Sequence, residues 1–224
     1  MIMKTIQLCY YLLILSCFNS LYAQEEVGNG MLFQNFEKGK VIFKSGTVYS
    51  AALNYNMMRE EMVFLNPDST ILAIANPLEV LVVIIGERRF LPVSAKGDFY
   101  EEIQAGKGSF FVQWRAVMLS AGKAAGYGGY SQTNSVSSFS GVQDASGMYI
   151  KLNPDEKFRM KTDSIFYLKS GNSYKKIFTA KALGKLFKGH ESEIVEYANA
   201  QSINFGKIAD VARIVEYGYS LIEK

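Results

Sequence analysis

Ser109-Phe110-Phe111-Val112-Gln113-Trp114-Arg115-Ala116-Val117-Met118-Leu119 is the stretch whose reading decides the fold. Phe110, Val112, Trp114, Ala116 and Met118 alternate with the rest, so on an extended chain they share one apolar face. The opposite face carries Gln113 and Arg115 and is partly wet. Upstream, Phe99 to Gln104 is its partner strand, joined through Ala105-Gly106-Lys107-Gly108. Gly86-Glu87 turns into Arg89-Phe90-Leu91-Pro92-Val93. Val80 to Ile85 is apolar at every position and is predicted to be buried on both faces.

The same grammar extends back to Met31. Val41-Ile42-Phe43 leads through Lys44-Ser45-Gly46-Thr47 to Tyr49, Ala51, Leu53 and Tyr55, which alternate with Val48, Ser50, Ala52 and Asn54. Asn56-Met57-Met58 turns the chain, Met62 to Leu65 is a strand, and Asn66-Pro67-Asp68-Ser69 has turn chemistry. Ile71 to Ala75 follows, and Asn76-Pro77 breaks it. Downstream, residues 121–147 interrupt the pattern with six Gly and six Ser and read as a flexible loop around Tyr127 and Tyr130. Strand signals return at Met148 to Leu152, Lys157 to Lys161, Ile165 to Leu168 and Tyr174 to Phe178, with a hairpin at Lys169–Ser173. The period then becomes helical. Thr179 caps a helix carrying Leu183, Leu186 and Phe187 that stops near Gly189. Glu191 to Gln201 forms a second helix with Ile194, Tyr197 and Ala198 inward. A third starts near Asn204 and carries Ile208, Val211, Ala212, Val215, Tyr219 and Ile222.

The fold class expected is therefore α+β: an antiparallel β meander, barrel- or sandwich-like, followed by a small three-helix C-terminal unit. Residues 24–120 form the β domain, 121–147 the loop, 148–178 hairpins completing or flanking the sheet, and 179–224 the helical subdomain.

Residues 1–23 read as a signal peptide. Lys4 is the only charge before Glu25, Ile6 to Phe18 is apolar, and Ala23 ends the run ahead of Gln24-Glu25-Glu26. The apolar run is short for a membrane span. A second processing route competes: Leu13-Ile14-Leu15-Ser16-Cys17 resembles a lipobox that would leave a lipoprotein anchored through Cys17. The Ala23 cut is favoured, because Leu15 directly before Ser16 fits that pattern weakly. Cys9 and Cys17 are the only cysteines, so the processed chain carries neither disulfide nor thiol chemistry. An exported, periplasmic or secreted protein without a transmembrane span follows as the expectation.

Several stretches together resemble uncharacterised exported proteins of Bacteroidota type. They are Gly46-Thr47-Val48, Leu53-Asn54-Tyr55-Asn56, Glu61-Met62-Val63-Phe64 and Ile74-Ala75-Asn76-Pro77, then Tyr127 to Thr133, Phe166-Tyr167-Leu168-Lys169 and Tyr174-Lys175-Lys176 before the helices. The resemblance implies export and a two-part architecture, and it carries no activity or site residue.

Catalytic chemistry has few candidates. His190 is the only histidine and has no accompanying nucleophile elbow or His-Glu-x-x-His frame, so it reads as a surface or capping residue. Glu60-Glu61 and Glu101-Glu102 are adjacent pairs that point to opposite faces. Only a cross-sheet meeting of Glu60 with Glu101, or Glu61 with Glu102, makes a two-carboxylate site. Arg88-Arg89 reads as turn exposure before ligand clamp. Lys107-Gly108-Ser109 lacks the phosphate-loop frame, and Gly126, Gly128 and Gly129 lack the dinucleotide pattern. No cofactor and no metal site is expected.

Charge is distributed unevenly, although the whole chain is only +3. Residues 157–188 hold nine cations (Lys157, Arg159, Lys161, Lys169, Lys175, Lys176, Lys181, Lys185 and Lys188) against Asp163 alone. Lys157, Arg159 and Lys161 are expected to share one strand face with Lys175 on the next hairpin. Lys181, Lys185 and Lys188 are expected to extend that surface on the first helix. Lys157, Arg159, Lys161, Tyr127 and Tyr130 are thus the candidate ligand contacts. The favoured reading is an exported, non-enzymatic binding module of the cell envelope, its partner an anionic envelope polymer or an acidic protein and not a nucleic acid. The alternative is an envelope or carbohydrate hydrolase using clustered carboxylates.

Overall fold

The computed structural model describes residues 30–94, 97–120, 123–125, 129–131 and 158–222. The signal segment, Tyr127, Lys157 and the strand expected at Met148 to Leu152 lie outside the described residues.

Twelve strands run in chain order: β1 (Glu37–Phe43), β2 (Val48–Asn56), β3 (Glu61–Leu65), β4 (Ile71–Ala73), β5 (Val80–Ile85), β6 (Arg88–Pro92), β7 (Phe99–Ala105), β8 (Gly108–Ser120), β9 (Lys123–Ala125), β10 (Gly129–Ser131), β11 (Phe158–Ser170) and β12 (Ser173–Lys176). Three helices follow, α1 (Ala180–Gly184), α2 (Glu191–Ala200) and α3 (Ile208–Leu221). Ten strands form one antiparallel sheet in the order β12-β11-β8-β7-β6-β5-β1-β2-β3-β4. Two meanders, β1–β4 and β5–β8, are thus joined side by side. After β4 the chain passes through a 3-10 turn at Pro77–Glu79 and returns to lay β5 beside β1. The remaining two strands pair as a small hairpin, β9 with β10, inside the stretch read as a strandless loop.

The sheet curls until the β2–β3 turn meets β8. The turn after β2 reaches β8 beyond the end of β7, where the Ala116 amide donates to the Met57 carbonyl at 2.9 Å. Glu61 and Asp98 form an isolated bridge beside it. The curl explains why Phe110, Val112, Trp114 and Ala116, all on one face of β8, serve two cores. Phe110 and Val112 join Phe166, Leu168, Leu183, Phe187, Ile194, Val211, Ile214 and Val215 beneath the helices. Ala116 joins Leu53, Tyr55, Met62, Val83, Ile85, Phe90 and Phe99 inside the curled half, and Trp114 touches both clusters.

Local chemistry places the helices. Thr179 Oγ1 accepts from the Ala182 amide at 3.1 Å and caps α1, which ends at Gly184 and continues as turns to Gly189. The third helix starts at Ile208 rather than near Asn204; the Asn204 amide instead donates to Asp210 Oδ2 at 3.0 Å ahead of it. Its buried stripe is Val211, Ile214, Val215, Gly218 and Leu221, while Ile222 is 55% exposed and corrects the inward reading of that residue. Val80 to Ile85 lies mid-sheet between β1 and β6 with Val80, Val82, Val83 and Ile85 all buried, so both alternating sets are covered; Leu81, 53% exposed, falls where the pairing with β1 shifts register between Ile42 and Phe43.

One end of the curled half is plugged. Asn54 is buried, accepts from the Phe33 amide at 3.1 Å and donates to the carbonyls of Phe33 (2.9 Å) and Asn35 (3.2 Å). Those bonds hold the segment before β1 across the end of β2, where Leu32 and Phe33 pack on the core.

Candidate functional site

The outer face of β7, β8, β11 and β12 carries a polar and aromatic strip. Tyr100 on β7 stacks on Tyr167 of β11 with centroids 4.8 Å apart, spanning β8. Tyr174 of β12 stands edge-on to Tyr100 at 5.3 Å and to Phe111 at 4.9 Å. Burial, then the hydrogen bond to Tyr167, hold the Tyr100 hydroxyl well above the usual tyrosine range. Burial, then the charge of Glu102, raise that of Tyr174. The Tyr167 hydroxyl donates to Gln113 Oε1 at 2.8 Å, and Gln113 Nε2 donates to Glu60. Arg115 sits 3.1 Å from Glu60 and 3.8 Å from Asp163.

The cations of the basic block divide between two sides of the sheet. In the uninterrupted register of β8 with β11, Lys161, Asp163 and Tyr167 share the outer face, while Phe166 faces the helices. Lys169 falls on that outer face by the same alternation, and Lys176, opposite Tyr167, joins it. All three lysines are exposed and make no ion pair with a described residue. Lys175 is opposite Leu168 and belongs to the other face. Lys181 and Lys185 lie on the helical unit, which covers that other face, with Lys188 in the turn after it. The expected single surface joining β11 to the first helix is therefore corrected, because the helices pack against the opposite side of the strand. Arg159 lies on β11 opposite Leu119, and Tyr130 in β10 opposite Ala124.

The carboxylates of the hydrolase reading are each held by an arginine: Glu60 by Arg115, Glu61 by Arg59 (3.0 Å), Glu101 by Arg88 (2.6 Å) and Glu102 by Arg89 (3.1 Å). Arg88 is no exposed turn residue. Its guanidinium lies 4.7 Å from the Phe33 ring centroid and 5.4 Å from that of Trp114. His190 precedes α2 and contacts Glu193 Oε2 at 2.5 Å. Among the described residues no group of His, Cys, Asp and Glu is arranged to hold a metal, and no helix is long and apolar enough to cross a membrane.

Two concavities stand out among the described residues. A shallow depression of about 670 Å³ lies between α1 and α2; of its lining residues only Val195 is not exposed, so it is a solvated groove. The second, about 370 Å³, opens at the unplugged end of the curled half and is lined by Val41, Phe43, Ala51, Leu53, Phe64 and Ile74. Alternation in β2 reveals in the sequence that Tyr49, Ala51 and Leu53 face inward. That no described residue covers Tyr49 depends on where the sheet ends. No protein-family model, curated protein or solved structure matches this chain, so the roles of its residues rest on its own geometry.

Proposed function

We propose that this chain is an exported, non-enzymatic binding protein of the bacterial cell envelope that holds an anionic polysaccharide along the outer face of β8, β11 and β12. The observation that carries this reading is the row of Lys161, Lys169 and Lys176, exposed and without ionic partners among the described residues, beside the Tyr100–Tyr167–Tyr174 cluster. Lys169 and Lys176 occupy diagonal positions of a β pair, ~7–8 Å apart at their backbones. Lys161 lies eight residues before Lys169, a separation of ~26 Å along the strand. That exceeds the Debye length of ~8 Å at physiological salt, so a small anion feels one end only, whereas a linear polyanion engages both. The neighbouring tyrosines offer ring edges and hydroxyls suited to sugar rather than to bare phosphate. The arginine-bound state of each carboxylate favours this reading over hydrolysis.

The test is retention on anionic envelope polysaccharide of the wild type and of the triple variant Lys161→Glu, Lys169→Glu, Lys176→Glu. Each exposed contact contributes ~1 kcal/mol or less, so the triple variant is expected to lose about tenfold or more in affinity, and the wild type to weaken as salt rises. Equal binding by the two proteins overturns the surface. Retention that survives enzymatic removal of the polysaccharide overturns the ligand class in favour of an acidic protein.

A further inference from the structure

The geometry points to a second binding site, the open end of the curled β half, taking a single unbranched acyl chain with its anionic headgroup at the rim beside Lys44. Barrel mouths are frequent ligand sites because strand interiors converge there on an apolar floor. Here the floor is Leu53, fully buried, and Val41, 6% exposed; Ala51, Phe64 and Ile74 form the walls. Phe43 and Tyr49 close one side as an edge-to-face pair at 5.6 Å. Tyr49 is 61% exposed although it lies on the inward side of β2, because no described residue covers this end.

Size and shape select the occupant. About 370 Å³ is too large to stay dry at no cost, and its walls carry no carboxylate or cation to order water. Tyr49 to Leu53, ~13 Å of extended strand, borders the cavity on one side, an apolar edge that a linear chain can follow. Polar lining is confined to Ser50, Asn76 and the Tyr49 hydroxyl. At the rim, Lys44 follows Phe43 directly, is exposed and makes no ion pair with a described residue. Its amide donates to the Glu79 carbonyl at 2.8 Å, which ties the β1–β2 turn to the 3-10 turn at Pro77–Glu79. A chain inside and a charge outside match this division.

The experiment is calorimetric titration of the exported chain with laurate and with dodecanol, with light scattering in parallel. Laurate is expected to bind once per chain. Ala51→Phe fills the cavity and is expected to weaken both ligands by about tenfold or more while circular dichroism and mass stay unchanged. Lys44→Glu lies on an exposed turn, and is expected to weaken laurate several-fold and leave dodecanol unaffected. Absence of laurate binding to the folded wild type overturns the site, as does binding indifferent to Ala51→Phe. A dimer dispersed by Ala51→Phe also overturns it, because a second copy then covers the mouth. If Ala51→Phe does not fold, the laurate-against-dodecanol response of Lys44→Glu decides alone.

Discussion

Arg88 grips Glu101 through two bonds of 2.6 Å, Nε to Oε1 and Nη2 to Oε2, on the concave face of the sheet where the two cores meet. Trp114 Nε1 donates to the same carboxylate at 2.5 Å. Glu101 stands opposite Phe90 on one side and Val112 on the other, so its charge divides the helix-covered core from the barrel core. Glu101→Gln keeps the shape and removes the charge, leaving Arg88 stacked among aromatics without its anion. The expected loss is ~2–3 kcal/mol, at or below the usual cost of breaking a buried pair because Arg88 retains 32% of its side-chain exposure. Urea titration reads it. Replacing both, Arg88→Met with Glu101→Leu, is expected to recover much of that loss; a double variant weaker than Glu101→Gln refutes the assignment.

Tyr55 is fully buried against Phe90, with ring centroids 5.9 Å apart, and its hydroxyl finds no partner among the described residues. Burial foremost, then the charges of Glu60, Asp98 and Tyr100, push its ionisation far above the ordinary tyrosine range. The folded chain keeps this proton where the unfolded chain releases it near pH ~10, so the stabilising contribution is intact below pH ~10 and falls as pH rises beyond it. The slope is ~1.4 kcal/mol per pH unit for one fully retained proton, with smaller additions from the half-exposed Tyr100, Tyr174 and Tyr219. Tyr55→Phe removes an unpaired hydroxyl and is expected to stabilise by ~1 kcal/mol at neutral pH and by more above pH ~10. Thermal melts at both pH values decide; a lower melting temperature at neutral pH shows that the hydroxyl has a partner.

Alternation along Phe110 to Ala116 and Tyr49 to Tyr55 was legible as sheet structure, and the shift to helical spacing after Thr179 was legible as three helices. These signals are local, because a strand or helix face is written in consecutive residues. What was not legible is long-range. Nothing in Met57 or Ala116 announces that their backbones meet, and nothing in Val80 to Ile85 shows that the pairing with β1 shifts register beside Leu81. The basic block illustrates the limit. Its composition singles out nine cations against Asp163 alone, but the side of the sheet taken by the helices separates Lys181 and Lys185 from Lys161, Lys169 and Lys176. The cavity was invisible for the same reason, since it is made by where β2 and the segment after β4 stop.

Gly108 opens β8 where α3 crosses the sheet, and a Cβ there falls 2.0 Å from the Tyr219 ring. Tyr219 in turn stands edge-on to Phe187 at 5.2 Å. No shift of a flexible chain end absorbs that overlap, because the ring itself occupies the space. Gly108→Ala is expected to cost ~1–3 kcal/mol by lifting α3 from the sheet. Tyr219→Ala in the Gly108→Ala background is expected to restore part of it. Amide exchange of α3 locates the effect, and unchanged protection there shows that the strand, not the helix, has moved.

Glu60 and Gln113 close the curled sheet, and their bond is the last testable element of the fold. Glu60 sits at the end of the β2–β3 turn with φ of 60°, a left-handed conformation uncommon for a side-chain-bearing residue. It receives the Gln113 amide and the Arg115 guanidinium, both from β8, while the preceding Met57 carbonyl accepts the Ala116 amide. Side-chain and backbone bonds therefore form one latch, and the side chains hold a turn whose backbone alone is strained. Gln113→Leu and Glu60→Ala are each expected to destabilise by ~1 kcal/mol, and the double variant by less than the sum, because each single change leaves the other partner unmet. The discriminating readout is exchange of the Ala116 amide. It is expected to accelerate in both single variants well beyond the change in global stability, since opening the latch exposes it without unfolding either core. If Ala116 exchanges only with global unfolding in all three variants, the latch does no more than decorate a closure made by the cores themselves.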